Sequence, residues 1–400
     1  MMKLNPWTLA LIGAGLISLP GVIMAEEKQP NSLITSLSST TLSGYVDTSA
    51  QWNLGTGNAN LPPYAFGGSG KADGFNLNVV KITIEKTIEP TDVWAAGYKV
   101  DLLAGPDANA FATQSSGIPA DFGVKQAYVA LHAPVGNGLD FKVGVWDTII
   151  GYEVFESGNN PNFTRSYGYT MEPTTHTGIL ASYVFCEAFS FNVGVANTFG
   201  PKINERAPTE SYKTYMASFT VTAPTNTGFL AGSTLSGCVI NGFNSATAGN
   251  ETSYYAGAVV NTPVTGLKAG FAFDYMDVHN TSGETWCAGG YLGYQATEKL
   301  SFYGRGEYLR DRGNQKLFRK TITDPTDPAS TLLVPSAPDR VLELTATAQY
   351  DLWKNVMSRL EVRWDHSLTG EGVWGKSDAT TGIGTQKNQW LLAANIIYKF

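Results

Sequence analysis

The twelve residues "QWLLAANIIYKF", Gln389 to Phe400, decide the reading of this chain. Every second residue, Trp390, Leu392, Ala394, Ile396, Tyr398 and Phe400, is apolar, with aromatics at both ends of the row. Side chains alternate across a strand, so the row is one face of a β-strand. About 10 residues of tilted strand span a bilayer, and aromatic girdles sit at its two interfaces. No water exists in hydrocarbon to satisfy a free sheet margin, so a membrane sheet must close on itself. The stretch is therefore expected to be the closing strand of a barrel, paired with the first strand, "LSGYVDTSAQW" (Leu42 to Trp52). Trp390, Tyr398 and Phe400 are the candidate closure and assembly-signal residues.

The rest of the chain follows the same rule. Composition is 15% charged, 12% aromatic and 43% hydrophobic with 43 Gly, yet no stretch after the first 25 residues approaches the ~18 apolar residues of a spanning helix. Alternation recurs in "LDFKVGVW" (Leu139 to Trp146), "LSFYGRGEYL" (Leu300 to Leu309), "LELTATAQYDL" (Leu342 to Leu352) and "SRLEVRWD" (Ser358 to Asp365). Short turns such as "APVGNG" (Ala133 to Gly138), "APTNTG" (Ala223 to Gly228) and "DLWKN" (Asp351 to Asn355) alternate with long polar connections. Among the long ones are Gly55 to Gly74, Asp147 to Pro173, Phe199 to Ser211, Asp311 to Asp339 and Ser367 to Lys387. A soluble sandwich has no reason to keep every second loop long. An outer-membrane barrel has, with short periplasmic turns and longer outer loops. The fold class expected is all-β, a transmembrane antiparallel up-and-down barrel of about 16 strands over residues 41–400.

The N-terminus reads as a secretory signal peptide, residues 1–25. Lys3 precedes the apolar "WTLALIGAGLISLPGVI" (Trp7 to Ile23), and a small residue, Ala25, stands before Glu26-Glu27. Residues 26–40 are then a short periplasmic segment. Loss of Lys3 takes the net charge from −7 to −8. That sign opposes nucleic-acid binding, and there is no basic patch. Cys186, Cys238 and Cys287 form no C-x-x-C pair, so zinc and thioredoxin-like chemistry are excluded, although one bridge remains open. No cofactor or metal is expected.

Two stretches carry a family likeness. "FNLNVVKITIEK" (Phe75 to Lys86) and "GYEVFESGNNPNFTRSYGYTMEPTTHTGILASY" (Gly151 to Tyr183) resemble the OmpL-like family of beta-barrel porins. The resemblance implies an outer-membrane channel of Gram-negative-type bacteria without catalytic residues. Expected partners are outer-membrane lipid and lipopolysaccharide, the outer-membrane insertion machinery and small hydrophilic solutes, with a homotrimer as one assembly state.

The connection Asp147 to Pro173 follows the fifth strand and is the third long loop. By analogy with general porins it is expected to fold inward and narrow the lumen. It carries Glu153, Glu156, Arg165 and Glu172, with many aromatics for a segment in water. Arg305, Glu307, Arg359, Glu361 and Arg363 are the wall charges expected to face it, and opposed charges in a pore sort solutes. Asp47, Lys99, Asp101, Asp140 and Lys142 join the expected lumenal set, which favours water inside a barrel of this size. An enzyme is not expected. "DHS" (Asp365, His366, Ser367) sets triad-type residues side by side, but strand neighbours point to opposite faces and cannot converge. "GGSGKA" (Gly67 to Ala72) is not a full phosphate loop. The expected function is passive diffusion of small hydrophilic solutes with a weak cation preference. The alternatives are a non-conducting adhesin or structural barrel, and a substrate-specific channel.

Overall fold

The computed structural model describes residues 39–400 except 56, 89–92, 117, 209–211, 280–282, 314–317 and 324–329. The expected signal peptide lies outside this range, as does the segment after it apart from its last two residues. Strands run β1 (Thr41–Asn53), β2 (Gly74–Lys86), β3 (Ala95–Ala104), β4 (Phe122–Ala133), β5 (Leu139–Asp147), β6 (Thr175–Cys186), β7 (Phe189–Ala196) and β8 (Thr214–Thr222). They continue as β9 (Thr234–Asn244), β10 (Gly249–Asn261), β11 (Leu267–Val278), β12 (Gly283–Gln295), β13 (Leu300–Gly313), β14 (Arg319–Thr323), β15 (Thr331–Pro335), β16 (Arg340–Trp353), β17 (Val356–Ser367), β18 (Trp374–Ser377), β19 (Gly384–Gln386) and β20 (Asn388–Lys399). Sixteen of them pair in order into one closed antiparallel barrel, while β14-β15 and β18-β19 are separate hairpins within two of the long connections.

The seam is where the sequence puts it. β20 pairs with β17 on one side and β1 on the other. Phe400 completes the ladder: its N–H donates to the Gly44 carbonyl and the Gly44 N–H donates to its carbonyl, each at 3.0 Å. Gly44 leaves room for the ring, since a Cβ there would meet the Phe400 Cζ at 2.7 Å. Trp390, Leu392, Ile396, Tyr398 and Phe400 face outward and exposed, whereas Gln389, Leu391, Ala393, Asn395 and Ile397 are buried in the lumen. Outward-facing rows of Val, Leu, Phe and Tyr on the other strands are likewise exposed, the pattern of a sheet solvated by lipid.

The two rims differ in chain length, with local departures from the expected rhythm. On the short-turn rim, the connection beginning at Ala223 extends to Ser233 and holds a 3-10 turn, Gly228–Leu230. The reason is pairing: Thr222 meets Thr234, not a nearer residue. On the other rim, β9 reaches β10 through 245–248 alone. The connection between β3 and β4 contains a short helix, α1 (Pro106–Phe111), and that between β5 and β6 another, α2 (Tyr167–Met171).

Candidate pore constriction

After Asp147 the chain turns into the barrel, and Thr148 N–H donating to Thr174 O (2.9 Å) ties the neck of the segment 148–174. Its first part is apolar. Ile149, Ile150 and Tyr152 pack on a belt of inward residues, among them Trp146, Leu180, Met216, Ile240, Ala272 and Tyr291. Tyr152 stacks on Tyr291 with ring centroids 4.0 Å apart. Gly270 makes that stack sterically feasible, because a Cβ at this position would lie 2.1 Å from the Tyr152 hydroxyl. Further on, Phe155 sits among Tyr45, Val79, Leu103, Phe111 and Ile397 on the opposite side.

From Glu153 onward the segment is held by charge. Arg305 Nη1 donates to Glu153 Oε1 at 2.9 Å and to the Thr164 carbonyl at 2.7 Å. Glu361 accepts from the Phe163 N–H (2.5 Å), the Thr164 N–H (2.9 Å) and the Thr164 hydroxyl (2.6 Å). Glu307 accepts from the Tyr167 and Gly168 N–H groups at 2.9 and 3.2 Å. Arg359 donates to the Ser157 carbonyl and Arg363 to the Arg165 carbonyl, at 2.9 and 2.7 Å. Most of these bonds have a backbone group of the segment as one partner. A chain crossing a lumen away from any sheet must satisfy its own N–H and C=O groups. The wall carboxylates and guanidiniums do that here, in place of a neighbouring strand.

This differs from the arrangement expected from sequence. Glu153, Arg165, Arg305, Glu307, Arg359, Glu361 and Arg363 are each at most 4% exposed. The wall charges touch the loop directly rather than facing it across water. Arg165 points back into its own segment, donating to the carbonyls of Phe163 (2.9 Å) and Phe155, and lies over the rings of Phe66 and Tyr169. Its conformational role follows from those contacts. Glu156 reaches Lys81 and Lys125 on β2 and β4. Burial alone would favour its neutral form, but Lys125 and Lys81 outweigh that and hold the carboxyl down to about 2. Glu172 goes the other way. Burial, and the Asp274 carboxyl beside it, raise it well above the usual carboxylate range. Ser166 caps α2, accepting from the Tyr169 N–H at 2.9 Å.

Several residues join the site that the sequence reading did not single out for it. Glu343 pairs with Arg305 (3.1 Å), and Asp365 accepts from Arg363 (2.9 Å) and from the Tyr167 hydroxyl (2.8 Å). Asp365 therefore faces inward while its neighbour His366 faces outward, 2.7 Å from Asn388 Oδ1 and stacked on Trp364. Glu343 lies on the polar row Glu343-Thr345-Thr347, which was the available signal. Of the further lumenal residues, Asp47 is buried at the seam and Asp101 between Thr83 and Gln126 on β2 and β4, while Lys99, Asp140 and Lys142 border a cavity of about 370 Å³ at the short-turn end. A second cavity of about 240 Å³, lined by Phe66, Phe111, Tyr169, Glu172 and Glu251, lies at the long-loop end. The three cysteines are free thiols.

Residues 39–400 match the family model described as "Putative beta-barrel porin-2, OmpL-like". The chain belongs to this porin family. Among solved structures, the porin's barrel is similar to the anion-selective porin from Comamonas acidovorans, with TM-score 0.56 and 12% identity over 90% of this chain and 99% of that one. It is similar to Pseudomonas putida OprB at TM-score 0.55 and 12% identity over 92% and 97%. It is also similar to Salmonella typhi OmpF, determined with daunomycin, at TM-score 0.54 and 14% identity over 90% and 97%. At such identities the likeness is one of fold. Among curated proteins, none matches the sequence. Family and fold together make this an integral outer-membrane porin channel.

Proposed function

We propose that the porin passes small hydrophilic solutes by diffusion, with segment 148–174 as its constriction and a weak preference for cations. The observation that carries this reading is the segment itself, tied into the lumen by Arg305, Glu307, Arg359, Glu361 and Arg363. The cation preference is supported by the ionised acids: Glu153 and Glu156 outnumber Arg165 on the loop and Glu343 and Asp365 add to the wall acids, while Lys81 and Lys125 offset Glu156 and keep the preference weak. Screening limits the reach of these charges to about 8–10 Å at physiological salt, so the preference is small. The long loops face the cell exterior in this reading, and a homotrimer is its assembly state.

One observation favours a second reading. The segment touches β2 and β4 through Glu156, β12 through Tyr152 and β13 and β17 through Glu153 to Tyr167, so it spans the lumen from side to side. That supports a barrel closed at rest, serving as a surface protein or opening on demand. Planar-bilayer recording separates the two. A diffusion porin conducts steadily in the wild type, with reversal potential slightly toward the cation. Wild-type bilayers that stay silent, while a variant lacking residues 153–168 conducts, would overturn the open-channel reading.

A further inference from the structure

Above the aromatic row of the lipid-facing surface lies a group of arginines that the channel does not use. On the outer face of β12 and β13, Trp286 and Tyr308 pack with ring centroids 5.3 Å apart, and Trp364 stacks on Trp390 further round the barrel. Two residues on from Tyr308, about 7 Å along the strand, stands Arg310. Arg312 and Arg340 complete the cluster, and the three line a cavity of about 380 Å³ with Asp339 and Thr369.

The register makes this cluster unusual. Arg310 is paired directly with Arg340 across β13 and β16. Like charges at directly opposed positions destabilise a sheet unless something compensates them. Glu284 compensates one, meeting Arg310 Nε at 2.6 Å. Glu284 stands directly opposite Arg312 in the register, but its carboxylate turns to Arg310; among the described residues no ion pair joins a carboxylate to Arg312 or Arg340, and both are exposed. Three guanidiniums therefore converge on a polar hollow with Glu284 and Asp339 as the acids beside them, leaving an unmatched positive charge. Guanidinium forks match the oxygens of a phosphate, and several together hold it by bidentate hydrogen bonds. A position just beyond the aromatic girdle is the level of lipid headgroups.

We propose that Arg310, Arg312 and Arg340 form a binding site for a phosphate group of the outer-leaflet glycolipid, with the acyl chains lying down the apolar wall beneath Trp286, Tyr308 and Leu342. The proposal rests on the long-loop rim facing the cell exterior. Binding in detergent does not depend on that orientation, nor on conduction, so this test fails or succeeds independently of the channel reading.

The experiment uses purified full-length protein in detergent and titrates bisphosphorylated lipid A by native mass spectrometry. The expected result is binding at least tenfold tighter than that of the same lipid without phosphates, weakened by 0.5 M salt. R312Q/R340Q should lose at least tenfold, while its heat-modifiable mobility and its conductance stay as in the wild type. E284Q should bind the lipid more tightly, because it frees Arg310. Equal binding of phosphorylated and dephosphorylated lipid overturns the proposal, as does an R312Q/R340Q variant that binds like the wild type. Inorganic phosphate binding as tightly as lipid A would make this a free-phosphate site and equally overturn it.

Discussion

Two arcs of the lumen wall are unlike. On β5 to β12 the residues that meet the inward segment are Trp146, Leu180, Met216, Ile240, Ala272 and Tyr291. On β13 to β17 they are Arg305, Glu307, Glu343, Arg359, Glu361, Arg363 and Asp365. One segment meets both, apolar at Ile149 to Tyr152 and held mainly by charged hydrogen bonds from Glu153 to Gly168, with Phe155 packed between them on β1 to β3 and β20. Apolar contact is non-directional and scales with area, so the first arc fixes where the segment lies but tolerates sliding. Charged hydrogen bonds are directional, and a buried charge stripped of its partner is costly. The second arc therefore fixes which residue sits where.

The largest effect is expected of R305A. It leaves the Glu153, Glu307 and Glu343 carboxylates buried with their shared cation gone, a cost of about 3–5 kcal/mol. The segment should leave the wall. Single-channel conductance should rise and protease should cut within 153–168. Wild-type conductance and resistance in R305A would mean that the charged arc does not hold the segment.

On the apolar arc, I150A removes a buried side chain next to Trp146 and should cost about 2 kcal/mol, the low end for such truncations because a loop can settle into the gap. Its signature is different. Conductance should fluctuate more, with a mean near that of the wild type, since the charged register is intact. A mean conductance raised as far as in R305A would show that the apolar arc also fixes the register.

The smallest effects are titrations, and their signs oppose. Glu156 ionises near 2 when folded, against an ordinary value of 4.5. Its contribution is complete above about 4.5 and is lost as pH falls toward 2. Glu172 is raised, so it favours the inward position while protonated, and that contribution is lost as pH rises from its ordinary value through its folded one. Conductance against pH should therefore show an acid limb that E156Q removes and an alkaline limb that E172Q removes. A wild-type profile flat from pH 2 to 10 contradicts both assignments.

Much of this architecture was legible because period-two alternation is so regular. The row from Trp390 to Phe400, the paired start near Leu42 and the long connection after the fifth strand all follow from it. The inside was harder to read, for two physical reasons. Glu361 and Arg363 are inward on any reading of "SRLEVRWD", but whether they meet water or the N–H of Phe163 depends on a segment nearly two hundred positions away. The apolar arc is built from about one residue per strand. Met216 and Ile240 each interrupt an otherwise polar or small inner row, and a single interruption does not register as a pattern until neighbouring strands align them. Trp146, next to Val145, hides in the same way.

The seam has a consequence for how the molecule forms. Thr48 and the Ile396 carbonyl, bonded at 3.1 Å, are 348 residues apart. Contacts of that separation carry the largest loop-closure entropy and come late in folding. Until β20 meets β1, the growing sheet has two raw margins with unmade hydrogen bonds, each able to recruit a strand from another chain. The last ladder to zip is thus also the one that ends the period of greatest vulnerability to misassembly. A mutation at Gly44 that crowds the Phe400 ring would prolong that period even if the finished barrel tolerated it.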